Sequence, residues 1–93
     1  MVKTLLLRIE GRVQGVGYRA WAVREARGLG LSGWVRNRFD GSVEALISGA
    51  EEAADRFVSA AHQGPGAAAV ASVTVSPADD EDVPASFTER ATI

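Results

Sequence analysis

The spacing of hydrophobic and polar residues changes several times along the chain, and each change predicts a new element. Short apolar or alternating runs bounded by turn residues predict strands, whereas apolar residues three or four positions apart predict helices. The sequence thus predicts five strands and two helices: strands Thr4–Glu10, Leu31–Arg38, Ser42–Ser48, Val70–Ser76 and Phe87–Ile93, and helices Tyr18–Leu29 and Ala50–His62.

Turn residues mark where these elements end. Glycines end the first helix, and the Gly-Pro-Gly run at 64–66 ends the second. The second and third strands are joined by a tight turn at 39–41, whose Asp-Gly pair is a strong hairpin signal. Because the inner face of the second helix is rich in alanine, its packing is expected to depend on Phe57 and Val58.

The order strand, helix, strand, strand, helix, strand is that of a ferredoxin-like α+β fold. In such a fold an antiparallel sheet carries both helices on one face. The last predicted strand follows Pro84 and lies at the terminus, which favours an edge position. We therefore expect a single domain over residues 1–93, a βαββαβ sandwich with an additional C-terminal edge strand.

Composition fits one globular domain and excludes several classes of protein. The chain has 93 residues, 46% of them hydrophobic, and a mean hydropathy of +0.01. The lack of cysteine excludes a disulfide scaffold and a thiolate metal site, and it fits a reducing, cytoplasmic location. No apolar run is long enough to span a membrane, and the first residues lead directly into a strand, so neither a membrane partner nor a signal peptide is expected.

Charge is distributed unevenly between the two halves of the chain. Residues 1–40 carry a net charge of +5 and residues 41–93 carry −7, for a total of −2. A positive field can concentrate and steer a small anion toward the basic half. Charges that alternate over solvated surfaces would give the same totals, so the asymmetry supports an anionic ligand without identifying it.

The segment from Gly11 to Arg19, with the sequence GRVQGVGYR, lies between the first strand and the first helix. Its glycines allow the backbone to direct several N–H groups toward one point at a helix N-terminus, where the helix dipole favours an anion. Arg19 in the first helical turn opposes that dipole at a cost of about 0.3–1 kcal/mol, which a bound phosphate would offset through bidentate hydrogen bonds. A glycine-rich turn beside a solvated arginine explains this segment equally well when it is taken alone.

A second segment, from Gly33 to Glu44, has the sequence GWVRNRFDGSVE. Together the two segments closely resemble the signature motifs of acylphosphatases, G-x-V-Q-G-V-x-[FY]-R and G-W-V-x-N-x-x-D-G-x-V-E. Each motif alone is moderately specific, and both together on the expected elements are a strong match. The resemblance covers essentially the whole chain, although the last third is less typical, which leaves the pairing of the final strand open.

The resemblance implies an enzyme that hydrolyses acyl phosphates to a carboxylate and inorganic phosphate, with neither a metal nor another cofactor. It also implies that Arg19 binds the phosphoryl group and that Asn37 positions the attacking water. The loop is implied to add backbone amides to the phosphate site, those of Gln14, Gly15, Val16, Gly17 and Tyr18. The expected partners are an acyl phosphate substrate and inorganic phosphate as product and inhibitor, bound by a monomer that has no nucleic-acid partner.

The residue types agree with this chemistry. A carboxylate leaving group has a pKa of about 4 and needs no general acid, and phosphoryl transfer needs mainly positioning and charge stabilisation. The lack of cysteine and the place of the single histidine, His62, at the far end of the second helix disfavour a cysteine- or histidine-based phosphatase. Trp21 and Trp34 are expected to pack against protein rather than to stack on a ligand, and Asp79–Asp82 to form a solvated loop rather than a cation site.

Two other classes of protein are compatible with the predicted architecture. RNA-binding modules of this shape place aromatic residues on their central strands to stack bases, but here the third strand reads SVEALIS and the first contains no aromatic residue. The negative total charge also disfavours that class. A non-catalytic phosphate-binding module is harder to separate because binding and catalysis share Arg19, and Asn37 favours turnover.

Overall fold

All seven predicted elements are present in the computed structural model, which describes residues 1–79 and 83–93. In chain order the elements are β1 (Val2–Arg12), α1 (Tyr18–Gly28), β2 (Ser32–Asn37), β3 (Val43–Ala50), α2 (Glu51–Ala61), β4 (Ala69–Pro77) and β5 (Phe87–Glu89).

The strands form one sheet in the order β4-β1-β3-β2-β5. The first four strands pair antiparallel, as predicted, and β5 occupies the expected edge. The pairing of β5, which the sequence left open, is parallel to β2, so the five-stranded sheet is mixed. The reason is topological. The last residues of β4 and the first residues of β2 lie at the same end of the sheet. Because β5 starts from that end too, it runs in the same direction as β2.

The final strand is also shorter than the predicted Phe87–Ile93. Beyond Glu89 the chain follows β2 through separate backbone hydrogen bonds instead of a regular ladder. The Arg90 N–H donates to the Val35 carbonyl at 2.8 Å, and the Ile93 N–H donates to the Asn37 carbonyl at 3.3 Å. The end of the chain is thereby attached to the residue at which β2 ends.

Both helices cover the same face of the sheet, and the hydrophobic core lies between them and the strands. Alternate residues of the central strands, including Leu7, Ile9 and Ile47, are fully buried in it. On α2, Phe57 is fully buried and Val58 is partly buried, as the alanine-rich pattern predicts. Burial of a side chain of this size is worth about 1.5–3 kcal/mol, so Phe57 is the main anchor of α2.

The opposite face of the sheet, on which the described part of the chain forms no helix, has its own small apolar row. Register places Leu46 between Leu6 and Trp34 on this face. The guanidinium carbon of Arg36 lies 4.4 Å from the Trp34 ring centroid and that of Arg90 lies 5.0 Å from it, which leaves Trp34 6% exposed. On the helical face, Trp21 packs 5.2 Å from Tyr18 between ring centroids. The prediction that both tryptophans pack is confirmed.

Within the described ranges, neither helix has the length and apolar character needed to cross a bilayer.

Candidate active site

The segment between β1 and α1 is a turn that ends at the N-terminus of α1. Gly15 and Gly17 have φ angles of +73° and +83°, a left-handed conformation that residues with a Cβ rarely adopt. Gly17 is the N-cap of α1; among the described residues no side chain caps the helix there, and its first turn contains no acidic residue. The first intrahelical bond is donated by the Trp21 N–H to the Gly17 carbonyl at 3.0 Å. The preceding helical N–H groups therefore have no acceptor within α1, as an anion site requires.

Gln14 connects this turn to the hairpin between β2 and β3. Its side-chain amide donates to the carbonyl oxygens of Arg38 at 2.7 Å and Ser42 at 2.9 Å. Sequence reasoning considered only the backbone of Gln14 and missed this link. The sequence did contain one indication of this link, a glutamine between glycines, because a long amide side chain can donate to two backbone carbonyls at once.

The hairpin is closed by its own turn residues. The Asp40 carboxylate accepts hydrogen bonds from the Ser42 hydroxyl at 2.6 Å and the Ser42 N–H at 2.9 Å. These bonds to Ser42, the hydroxyl bond first, hold the pKa of Asp40 below its ordinary value, and the nearby Arg8 guanidinium adds to the effect. Since the Arg38 N–H also donates to the Ser42 carbonyl at 2.9 Å, the end of β2 at Asn37 is fixed relative to β3.

A cleft of about 150 Å³ opens where the glycine turn, the first turn of α1 and the end of β2 meet. Arg19 and Asn37, separated by eighteen positions in the sequence, both line it, together with Gly15, Gly17 and Tyr18. Of the other two predicted loop residues, Val16 packs against the core, and the side chain of Gln14 is directed to the hairpin. The structure thus brings both predicted side chains and the centre of the glycine turn to one place.

Glu89, the last residue of β5, also lines the cleft, and sequence reasoning did not identify it. One of its carboxylate oxygens lies 3.8 Å from Nε of Arg19. Glu89 reaches this position because β5 pairs parallel with β2, which places Glu89 opposite Val35. The pairing of β5 could not be read from the sequence, so neither could this contact.

Tyr18 lines the cleft, but its phenol belongs to the packing between the helices. The side chain is 2% exposed, and its hydroxyl donates to the carbonyl of Ala61 at the end of α2 at 2.7 Å. Burial raises the pKa of Tyr18 well above its ordinary value because the phenolate would lose its hydration. This side chain therefore fixes the N-terminus of α1 against α2.

The remaining candidates lie away from the cleft or outside the described ranges. Among residues 1–79 and 83–93, no group of three or more histidine, cysteine or acidic residues is arranged to hold a metal ion. His62 is exposed at the end of α2. Of the predicted acidic loop Asp79–Asp82, residues 80–82 lie outside the part of the chain that the structure describes.

Comparisons with known proteins agree with the architecture and the motifs. A family model for acylphosphatases matches residues 5–88. An acylphosphatase of an Azoarcus species is 61% identical over 77 residues, which cover 83% of this chain and 79% of that protein. One from Rhodospirillum rubrum is 53% identical over 83 residues, which cover 89% of this chain and 91% of the relative.

Solved structures lead to the same family. The crystal structure of acylphosphatase from Bacillus subtilis matches with a TM-score of 0.89 and 36% sequence identity, over 97% of this chain and 99% of that one. Agreement in sequence, in fold and over nearly the full length leaves one assignment, and this chain belongs to the acylphosphatase family.

Proposed function

We propose that this acylphosphatase hydrolyses acyl phosphates at the cleft between α1 and β2. Arg19 and the backbone amides of residues 14–18 bind the phosphoryl group, and Asn37 orients the attacking water. The observation that carries the proposal is that Arg19, Asn37 and the glycine turn line one cleft at an N-terminus that no side chain caps. The substrate is an anhydride of a carboxylic acid and phosphoric acid. We expect neither a metal ion nor a cofactor to take part.

The bonding changes require little acid or base chemistry from the protein. The water oxygen forms a bond to phosphorus, the bond between phosphorus and the acyl oxygen breaks, and the carboxylate leaves with the bonding electron pair. Because a carboxylate with a pKa of about 4 is a stable anion at neutral pH, the leaving group needs no proton. One proton of the water passes to a phosphoryl oxygen or to solvent, the other stays on the new P–OH group, and inorganic phosphate is released.

The protein contributes position and charge. In a loose transition state, negative charge is spread over the three equatorial phosphoryl oxygens, and donors fixed in advance around them lower the barrier. Arg19 supplies a planar pair of donors, and the turn at Gly15 and Gly17 supplies backbone N–H groups near the positive end of α1. The Asn37 side chain has both a donor and an acceptor, so it can hold a water while leaving one lone pair free for attack.

Hydrolysis of benzoyl phosphate, followed by ultraviolet absorbance with a chelator present, tests the proposal. We expect turnover in the chelator and competitive inhibition by inorganic phosphate. Phosphate monoesters should be poor substrates because an alkoxide leaving group needs a general acid, and neither Arg19 nor Asn37 can act as one. Activity that disappears with chelator and returns with magnesium would contradict the metal-free mechanism. Phosphate binding without turnover would instead indicate a phosphate-binding module on the same fold.

Two finer points belong to the same proposal. We expect the protein to act as a monomer on a free small-molecule substrate, without a nucleic-acid or membrane partner, because one chain supplies all the residues named above. We also expect it to work in the cytoplasm, because a chain without cysteine suits a reducing compartment. Sedimentation of the purified protein and fractionation of cells test these two points.

A further inference from the structure

The cleft contains a carboxylate that the mechanism does not use. Glu89 lines it together with Arg19 and Asn37, and its oxygen lies 3.8 Å from Nε of Arg19. A negative charge at the edge of an anion site opposes the binding of phosphate, so Glu89 should weaken the affinity of the cleft for its ligand.

The backbone holds Glu89 in this position. Glu89 lies opposite Val35 in the parallel ladder between β5 and β2, and the next residue, Arg90, donates its N–H to the Val35 carbonyl at 2.8 Å. Phe87, two positions before, is fully buried in the core. The carboxylate is thus placed beside the guanidinium by a packed and hydrogen-bonded segment.

The ion pair itself contributes little to folding. The side chains of Arg19 and Glu89 are 37% and 49% exposed, and a pair of this exposure at 3.8 Å is screened by water. What the pair changes is the electrostatic potential at the one guanidinium that lines the cleft among the described residues. An anion bound there interacts with Arg19 and with a fixed opposing charge beside it.

We propose that Glu89 lowers the affinity of the cleft for phosphate anions, substrate and product alike, and so favours release of the product. The inference rests on the proposed function, because it assigns Glu89 a role at the site where Arg19 binds the phosphoryl group. Arg19 and the backbone N–H groups of the glycine turn attract inorganic phosphate. The neighbouring carboxylate of Glu89 repels the anion and so favours its release.

The expected size of the effect follows from Coulomb's law. A unit charge that acts on a phosphate anion about 6 Å away in a water-exposed cleft changes the binding constant by roughly three- to tenfold. Salt weakens this effect as the Debye length, about 30 Å at 0.01 M and about 8 Å at physiological ionic strength, shortens toward that separation. The effect should therefore be largest in dilute buffer.

Glu89→Gln removes the charge and keeps the shape of the side chain. Glu52→Gln is the matched control, since it makes the same change in net charge on α2, beside the C-terminal end of α1 and away from the cleft. Titration calorimetry with inorganic phosphate and inhibition kinetics with benzoyl phosphate would be run in about 0.02 M and about 0.3 M salt.

We expect Glu89→Gln to lower both the phosphate Kd and its inhibition constant about three- to tenfold in dilute buffer, and clearly less in salt. KM should fall with them while kcat stays within about twofold, and Glu52→Gln should match the parent. Glu89→Asp keeps the charge and should also remain close to the parent.

Unchanged phosphate affinity in a folded Glu89→Gln protein would overturn the proposal, and so would Asp and Gln variants that behave alike. A fall in phosphate affinity would overturn it as well, because that result would mean that Glu89 aids the binding of anions through Arg19. Failure of the parent itself to hydrolyse benzoyl phosphate would contradict the proposed function, and the calorimetric comparison would still report on Glu89 separately.

Discussion

The side-chain amide of Gln14 donates a 2.7 Å hydrogen bond to the backbone carbonyl of Arg38, the residue that follows Asn37. Its second bond, to the Ser42 carbonyl, fixes the same amide to the other side of the hairpin. One side chain thus sets the separation between the glycine turn and the end of β2, the two parts of the cleft that are far apart in sequence.

Gln14→Ala should weaken both stability and catalysis. Two lost hydrogen bonds predict a decrease of about 1–3 kcal/mol in the free energy of unfolding. We also expect kcat to fall by at least about tenfold in the folded protein, because misplacing a reacting group by 1 Å can cost on the order of a hundredfold. Denaturant unfolding and kcat would be measured on one sample, with the exposed Gln63→Ala as control. If Gln14→Ala is less stable but keeps the kcat of the parent, the role of Gln14 is structural only.

Arg19→Gln tests the phosphate site directly. Loss of a charge-assisted hydrogen bond of about 1.5–3 kcal/mol predicts phosphate inhibition that is roughly 10- to 150-fold weaker. Thermal stability should hold or rise, because a cation leaves the N-terminus of α1 and the exposed pair with Glu89 contributes little. Arg24→Gln, at an exposed position on the same helix, is the control. If Arg19→Gln binds phosphate as the parent does, the assigned site is wrong.

Asn37→Ala separates catalysis from binding. A group that orients the attacking water acts chiefly on the way to the transition state, so kcat should fall on the order of 10²–10³-fold. KM and the phosphate inhibition constant should change little, because the bound anion keeps Arg19 and the loop amides. The melting temperature should also change little, since Asn37 contributes its backbone to the strand in either variant. A kcat close to that of the parent would contradict the water-positioning role of Asn37 and would favour the alternative of a phosphate-binding module.

Tyr18→Phe should change how stability depends on pH at the alkaline end. Burial raises the folded-state pKa of Tyr18 above its unfolded value of about 10, so the folded state favours the neutral phenol. This contribution to stability is fully present below pH about 10 and is lost as the pH rises toward the folded-state value. Melting temperatures from pH 7 to 11 should therefore fall less steeply in Tyr18→Phe.

The hydrogen bond with Asp55 raises the pKa of Lys3, so the contribution of Lys3 to stability is also lost at the alkaline end. Lys3→Met therefore serves as the companion variant and should keep the alkaline loss that is due to Tyr18. At pH 7, Tyr18→Phe should cost about 0.5–1.5 kcal/mol for the lost bond to the Ala61 carbonyl. An identical alkaline slope in the parent and in Tyr18→Phe would contradict the assignment.

Local sequence signals determined most of what could be predicted here. The Asp-Gly turn and the spacing of hydrophobic residues predicted the bounds of the hairpin strands and of both helices to within about two residues. The first residue of α1, Tyr18, was predicted correctly. Arg19 and Asn37 were identified through motif resemblance, and the structure brings them to one cleft. Glu89 was missed because its position depends on a parallel pairing between residues more than fifty positions apart, which no local pattern encodes.

The Gln14 link was missed for a related reason. A side chain that serves backbone carbonyls on a distant hairpin leaves no periodic trace in the sequence, so only the folded geometry identifies its partners.

The stacking of Arg36 and Arg90 on Trp34 makes that indole an optical reporter of the edge of the sheet. Arg90 directly follows β5, so detachment of this edge would expose the Trp34 ring and shift its fluorescence to longer wavelength. Trp21, on the helical face beside Phe57, would respond to the core instead. Chains that keep one tryptophan each would therefore show, in a stopped-flow experiment, whether the segment that carries Glu89 opens before the rest of the molecule unfolds.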